Sequence, residues 1–190
     1  MRYFAFCLLP FAFCLSLACR PAAAPISVSN RPVSINNIPQ QTNLPLPPPK
    51  NIENLGWETF TGENKKLSEF KGKVLVLDFW ATYCPPCLEE IPHLNSLQTK
   101  YGENIQIVGL HVGGDEDKLK VPEYVEKLKI NYLLGYPEEE LSSILFAGEN
   151  AIPQTFVFNR QGKLVKKIVG FDEIEKANLD DAIEQVINER

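Results

Sequence analysis

The sequence has few of the residues that hold metals or bind polyanions. Its 190 residues include two histidines, His93 and His111, and one methionine, and no arginine lies between Arg31 and Arg160. Four of the 19 basic groups (Arg2, Arg20, Arg31, Lys50) and none of the 24 acids fall in the first fifty residues. Residues 51–190, with fifteen bases against twenty-four acids, therefore carry −9 of a chain total of −5. So acidic a segment gives no electrostatic support for nucleic-acid binding and does not seek anionic lipid by itself. No internal repeat of solenoid length is present. No apolar run reaches the roughly 20 residues that a membrane-spanning helix requires. The longest run, Tyr3 to Ala18, has Pro10 in its middle.

That run follows Arg2 directly, and a positive start before a short apolar core has the pattern of an export signal. Ser16-Leu17-Ala18-Cys19 resembles a bacterial lipoprotein cleavage site, which would leave Cys19 as a lipidated N-terminus. A cut near Ala22–Ala24 would instead release a soluble protein. Cysteine arithmetic agrees with the lipoprotein reading. Cys7 and Cys14 leave with the signal, Cys84 and Cys87 pair, and Cys19 would otherwise be an odd thiol in an oxidising compartment. Residues 20–50 hold eight prolines among Ser, Asn and Gln. Their apolar side chains are too sparse to offset the entropy of ordering, which predicts a Pro-rich tether of roughly 90 Å if fully extended. The expected organisation is a signal peptide over 1–18, a tether over 19–50 and a folded domain over 51–190.

Within the domain, Val74–Trp80 is a nearly continuous apolar run interrupted only by Asp78, the pattern of a strand covered on both faces. Trp57–Phe60 and Ile105–His111 read as further strands, and 86–100 as a helix with Leu88, Ile91, Leu94 and Leu97 on one side. The spacing predicts helices over 119–129 and 138–146 and a terminal helix over 179–187. Residues 155–158 and 164–169 read as a hairpin pair around Asn159–Gly162. Glu138–Glu140 suit a helix N-terminus favoured by the dipole. Alternating strands and helices followed by a hairpin and a last helix predict an α/β sandwich with a mixed sheet.

The chemistry centres on Cys84-Pro85-Pro86-Cys87. Such a pair can be half a zinc site, a structural staple or a redox couple. Zinc requires two further ligands at short spacing, and none is present. A disulfide closing so small a loop constrains the unfolded chain little, so a staple there is poorly used. Redox chemistry is the remaining reading. The pair follows a buried strand and opens a helix, where the macrodipole and unpaired N–H groups favour thiolate. Cys84 then is the exposed nucleophile and Cys87, one turn in, the buried resolving thiol. Pro85 and Pro86 suit the first helical positions and leave fewer amide donors around Cys84. Trp80 and Tyr83 are expected to flank the sulfurs as an apolar docking surface, and His93 and His111 to be structural or solvent-facing.

The stretch Val76-Leu-Asp-Phe-Trp-Ala-Thr-Tyr-Cys-Pro-Pro-Cys87 resembles the active-site segment of thioredoxins, especially the TlpA/ResA-like membrane-anchored thiol–disulfide oxidoreductases. Asp78 lies six residues before Cys84, where thioredoxin has its buried acid. Pro92 stands where that family's active-site helix is kinked. Glu90 falls where many TlpA-like members carry a glutamate. Ala151-Ile-Pro-Gln-Thr-Phe resembles the cis-proline strand, which implies that Pro153 is cis and faces the disulfide, with the Ile152 backbone free to pair with a substrate strand. Residues around Gly113–Leu134 resemble the TlpA-type helix/strand insertion.

The resemblance implies a thioredoxin-like sandwich, no cofactor or metal, protein thiol or disulfide substrates and a membrane thiol electron donor. It implies that Cys84 attacks, Cys87 resolves, and Asp78 or Glu90 accepts the Cys87 proton. Strong oxidants of the superfamily usually place a histidine between the cysteines; two prolines there imply a reductant, and reduction of apocytochrome c cysteines is a common task of the group. Two rivals are a thiol peroxidase, for which Thr82 is nearby but no arginine is, and a copper-carrying module with His111 as third ligand.

Overall fold

The computed structural model describes residues 51–189. The expected signal, the cleavage at Cys19 and the tether lie outside the described residues.

A seven-stranded mixed sheet has the order β2-β1-β5-β4-β3-β6-β7. Its strands are β1 (Gly56–Thr59), β2 (Asn64–Lys66), β3 (Val74–Trp80), β4 (Ile105–His111), β5 (Leu133–Pro137), β6 (Gln154–Phe158) and β7 (Leu164–Val169). β3, β4 and β5 run parallel to their neighbours in that group, while β6 lies antiparallel to β3 and β1 antiparallel to β5. The five helices are α1 (Pro85–Tyr101), α2 (Asp115–Lys118), α3 (Val121–Leu128), α4 (Glu139–Phe146) and α5 (Glu173–Asn188). Among the described residues no helix is long and apolar enough to cross a membrane.

Side-chain alternation along β3 divides the core in two. Val74, Val76 and Trp80 join Ile91, Leu94 and Leu97 of α1 and Leu179, Ile183 and Val186 of α5 on one face. Leu75, Leu77 and Phe79 meet Leu141 and Leu145 of α4, with Trp57, Phe156 and Phe158, on the other. Every residue of β3 is buried, as its unbroken apolar run predicts.

The structure departs from the sequence reading at four elements. The helix expected over 119–129 is present as α3, within two residues at each end and with Pro122 in its first turn, while α2 is a further short helix that the spacing did not signal. The helix expected from 179 begins at Glu173, six residues earlier, where Asp172 caps it by accepting from the backbone of Ile174 and Glu175. β2 is three residues long and polar, and β5 contains Gly135 and Pro137; neither carries a periodic signal. The remaining elements lie where the sequence puts them, and Glu138 stands at the N-cap position of α4, its carboxylate accepting from the Gly56 amide and not from the helix.

Candidate functional site

β3 ends at Trp80, and the Ala81–Tyr83 turn delivers Cys84 to the N-cap of α1. Cys84 and Cys87 form a disulfide with Cα atoms 5.3 Å apart. The Cys87 amide donates to Cys84 Sγ at 3.3 Å. Pro85 and Pro86 have no N–H, so this is the first helical amide able to do so. Cys84 is less exposed than the sequence suggested. It is 5% accessible against 0% for Cys87, which makes it the more open of two nearly covered sulfurs.

The loop before β6 faces the pair. The Ile152–Pro153 peptide is cis, and the Ile152 carbonyl oxygen lies 3.6 Å from Cys84 Sγ, within reach of a proton on the reduced thiol. Around the sulfurs, Tyr83 is 62% exposed, Pro85 is exposed, and Pro86 and Ile152 are half-buried. Trp80 corrects the expected docking surface. It is completely buried and packs edge-on against the His111 ring at 5.5 Å. The cause is strand parity: Trp80 shares the inner face of β3 with Val76 and Asp78.

The core beneath the start of α1 holds buried acids with few hydrogen-bond donors. Asp78 sits in mid-strand between Gly109 of β4 and Thr155 of β6. Neither of its carboxylate oxygens has a hydrogen-bond partner among the described residues. Burial, reinforced by the nearby charge of Glu90, pushes its pKa well above the ordinary carboxylate range. Glu90 projects into the same core from α1 and is 1% exposed, while its neighbour Glu89 faces solvent. Burial raises its pKa to about 7 against the opposing effect of the Thr155 hydroxyl, which donates to Oε1 at 2.6 Å. The Tyr132 hydroxyl and Trp80 Nε1 are likewise buried without partners. A Cβ on Gly109 would stand 2.8 Å from Leu134 Cδ2, 3.1 Å from the Tyr132 ring and 3.2 Å from Trp80 Nε1, so the absence of a side chain here lets these three pack against β4.

A third buried acid, Asp117, went unread in the sequence. Asp117 of α2 accepts from the Thr82 amide at 2.8 Å, from the Thr82 hydroxyl, and from His111 Nε2 at 2.9 Å. Burial acts to raise its pKa, but these hydrogen bonds outweigh it and hold the carboxyl below its ordinary value. Burial lowers the His111 pKa, the Asp117 contacts opposing it. His111 is therefore structural, as expected, and not solvent-facing. His93 is partly buried and pairs with Asp180 of α5 at 2.8 Å. The signal that could have singled out Asp117 is Gly113-Gly114 just before the Asp115-Glu-Asp117 run, a flexible approach that plain solvated acids do not need. Among the described residues no cluster of three His, Cys, Asp or Glu side chains could hold a metal ion.

Comparison with known proteins places this geometry. A sequence profile of the redoxin family matches residues 58–183. The thiol-disulfide oxidoreductase ResA of Halalkalibacterium halodurans is 35% identical over 117 residues, 60% of this chain and 63% of that protein. The chain thus spans somewhat less than two thirds of the length of such curated relatives. Among solved structures, a putative thiol:disulfide interchange protein DsbE from Chlorobium tepidum is 26% identical with a TM-score of 0.64, covering 75% of this chain and 99% of its own. A thiol:disulfide interchange protein of the thioredoxin family from Chlorobium tepidum TLS is 26% identical with a TM-score of 0.62 over the same shares. The mixed sheet, the cysteine pair heading α1 and the cis-proline loop opposite it are thus a thioredoxin-like arrangement, and the chain belongs to the redoxin family.

Proposed function

We propose that this chain is an extracytoplasmic thiol–disulfide oxidoreductase that reduces disulfides in protein substrates. The observation that carries the reading is the Cys84–Cys87 disulfide at the head of α1, opposite the cis Ile152–Pro153 peptide, with the Glu90 carboxyl buried about one turn further along the same helix. In the reduced protein Cys84 thiolate attacks a substrate disulfide. One substrate sulfur leaves as thiolate and the other stays bonded to Cys84. Cys87 then gives up its proton, attacks Cys84 Sγ, and releases the second substrate sulfur as thiolate. Two electrons pass to the substrate and the enzyme is left as the disulfide.

The resolving step needs a proton acceptor, because burial holds a thiol protonated. Glu90 and Asp78 fill that role, Glu90 being the better matched to neutral pH. Tyr83, Pro85, Pro86 and the Ile152 backbone form the rim on which a substrate strand docks, with cis Pro153 beside the sulfurs. Direction follows from donors: only one helical amide reaches Cys84 Sγ, so its thiolate gains little and the reduced form remains a strong donor of electrons. Reduction of apocytochrome c cysteines suits such a protein, and a membrane thiol carrier would re-reduce it. The export signal, the lipid on Cys19 and the Pro-rich tether complete the reading by keeping the domain at a membrane surface.

The peroxidase alternative loses its residues to other work. The Thr82 hydroxyl is engaged by Asp117, and Arg160 donates to the Val186, Ile187 and Glu189 carbonyls at the end of α5.

Trapping tests the reading. Cys87→Ser should strand substrate proteins on Cys84 as mixed disulfides, and Cys84→Ser should strand none; the reverse pattern would exchange the two roles. Replacing Asp78 with Asn should slow resolution and move its pH profile, and an unmoved profile removes Asp78 from the mechanism. Mass spectrometry of the membrane fraction decides the lipid, since an unmodified mature protein starting after Cys19 contradicts it.

A further inference from the structure

We propose that Asp117 is a positioning residue for Cys84, clamping through Thr82 the turn from which the nucleophilic sulfur is presented. Thr82 lies two residues before Cys84, and both its backbone N–H and its hydroxyl are bound by one carboxylate. That two-point attachment fixes the peptide plane and the side-chain rotamer together. His111, at the end of β4, orients the carboxylate from the opposite side. The Val112 amide donates to the Trp80 carbonyl at 2.9 Å and ties the same two strand ends together. Thr82, Asp117 and His111 are all buried, so water does not compete for these bonds.

The local backbone is shaped to deliver this side chain. A Cβ on Gly113 would lie 2.7 Å from the Asp117 Cβ, so only glycine permits the approach. Gly114 then turns into α2 with φ +81°.

The clamp matters most when the disulfide is open. Closed, the Cys84–Cys87 bond itself holds the turn to α1. In the thiolate and in the mixed disulfide that bond is gone, and Pro85 and Pro86 supply no amides to replace it. The backbone bonds of the turn are then Cys84 N to Ala81 O at 3.3 Å and Leu88 N to Cys84 O at 3.2 Å, both long. Asp117 is the strong attachment that persists through every redox state. Sulfur–sulfur exchange depends on how the attacking sulfur is aimed, so a loosened turn loses rate at unchanged thiolate content.

The test uses the reduced full-length protein and three variants, Thr82→Val, Thr82→Ser and Asp117→Asn. The readouts are the second-order rate of Cys84 with oxidised glutathione above the thiolate titration, and amide hydrogen exchange at Tyr83 and Cys84. Thr82→Val and Asp117→Asn should each lower the rate about tenfold and speed exchange at those two amides at least tenfold. Thr82→Ser should restore both to within about twofold of the parent. Both variants within twofold of the parent, or a loss that Thr82→Ser shares, overturns the clamp. Thr82→Val is near-isosteric and keeps the test open if Asp117→Asn does not fold. A parent protein inert to disulfides would sink the oxidoreductase reading instead, while exchange at Tyr83 and Cys84 still decides the clamp.

Discussion

Asp78, in the middle of β3, and Asp117, in α2, are both buried aspartates, and their hydrogen bonding is opposite. Asp78 has no donor on either oxygen; Asp117 has three. Burial pushes the first carboxyl up, whereas hydrogen bonds overcome burial and pull the second down. Depth alone therefore does not set the charge of an acid in this core; the supply of donors does. One aspartate is left able to take up a proton, and the other is fixed as an anion that holds backbone.

The largest test of this contrast is Asp117→Ala. It leaves the Thr82 amide, the Thr82 hydroxyl and His111 Nε2 buried without an acceptor, at about 1–3 kcal/mol each. Denaturant unfolding of the oxidised protein should show a loss of about 4 kcal/mol. A loss below about 1 kcal/mol would mean that water replaces the carboxylate and that the site is not dry.

Next comes the pH dependence of Glu90, whose folded pKa of about 7 exceeds its ordinary 4.5. The native state retains a proton that the unfolded chain has released, so stability falls as pH rises from about 4.5 to about 7 and is level above. That difference is worth roughly 3 kcal/mol at full titration. Glu90→Gln should remove this group's share of the slope and leave that of the raised Asp78, so that unfolding free energies of variant and parent diverge by about that amount between pH 4 and pH 8. Parallel curves would show that Glu90 is not shifted. Asp117 acts in the other direction, since its depressed pKa gives stability that is present above the ordinary value and lost as pH falls through the folded one.

Gly109→Ala should cost less, about 1–2 kcal/mol, because its Cβ meets Leu134 Cδ2 at 2.8 Å and crowds the Tyr132 and Trp80 rings. A thermal midpoint equal to the parent's would indicate that Leu134 moves aside without loss. Smallest of all is Tyr132→Phe. The hydroxyl has no partner among the described residues, so deleting it should change stability by less than about 1 kcal/mol in either direction. A larger loss would reveal an internal hydrogen bond from Tyr132 to the carboxylates.

The parts of this molecule legible in its sequence are those dictated locally. The nearly continuous apolar run Val74–Trp80 announced a strand covered on both faces, the double proline announced a helix start, and the cysteine pair flanked those prolines. Pro153 took the conformation that its surrounding motif implied. Trp80 was also decidable: once Asp78 is placed inward, a residue two positions later must point inward too, and no room is left for a docking role. β5 was not decidable. Gly135 sits in it because a Cβ would press on the Trp57 ring at 2.6 Å, and that neighbour lies far away in sequence. Asp117 was hidden for the same reason. Its partners are at positions 82 and 111, and an acid within an acidic run looks like any solvated helix start until the fold brings them together.

On the proposed reading, the two prolines at the head of α1 would also act as a setting on electrical potential. Each backbone donor withheld from Cys84 weakens the thiolate, and every tenfold change in the dithiol–disulfide equilibrium is about 30 mV. Because the dipeptide contributes almost nothing to the core, with Pro85 exposed and Pro86 half-buried, it can change without disturbing the packing. The same scaffold can therefore be retuned in steps of tens of millivolts by exchanging two side chains at its surface.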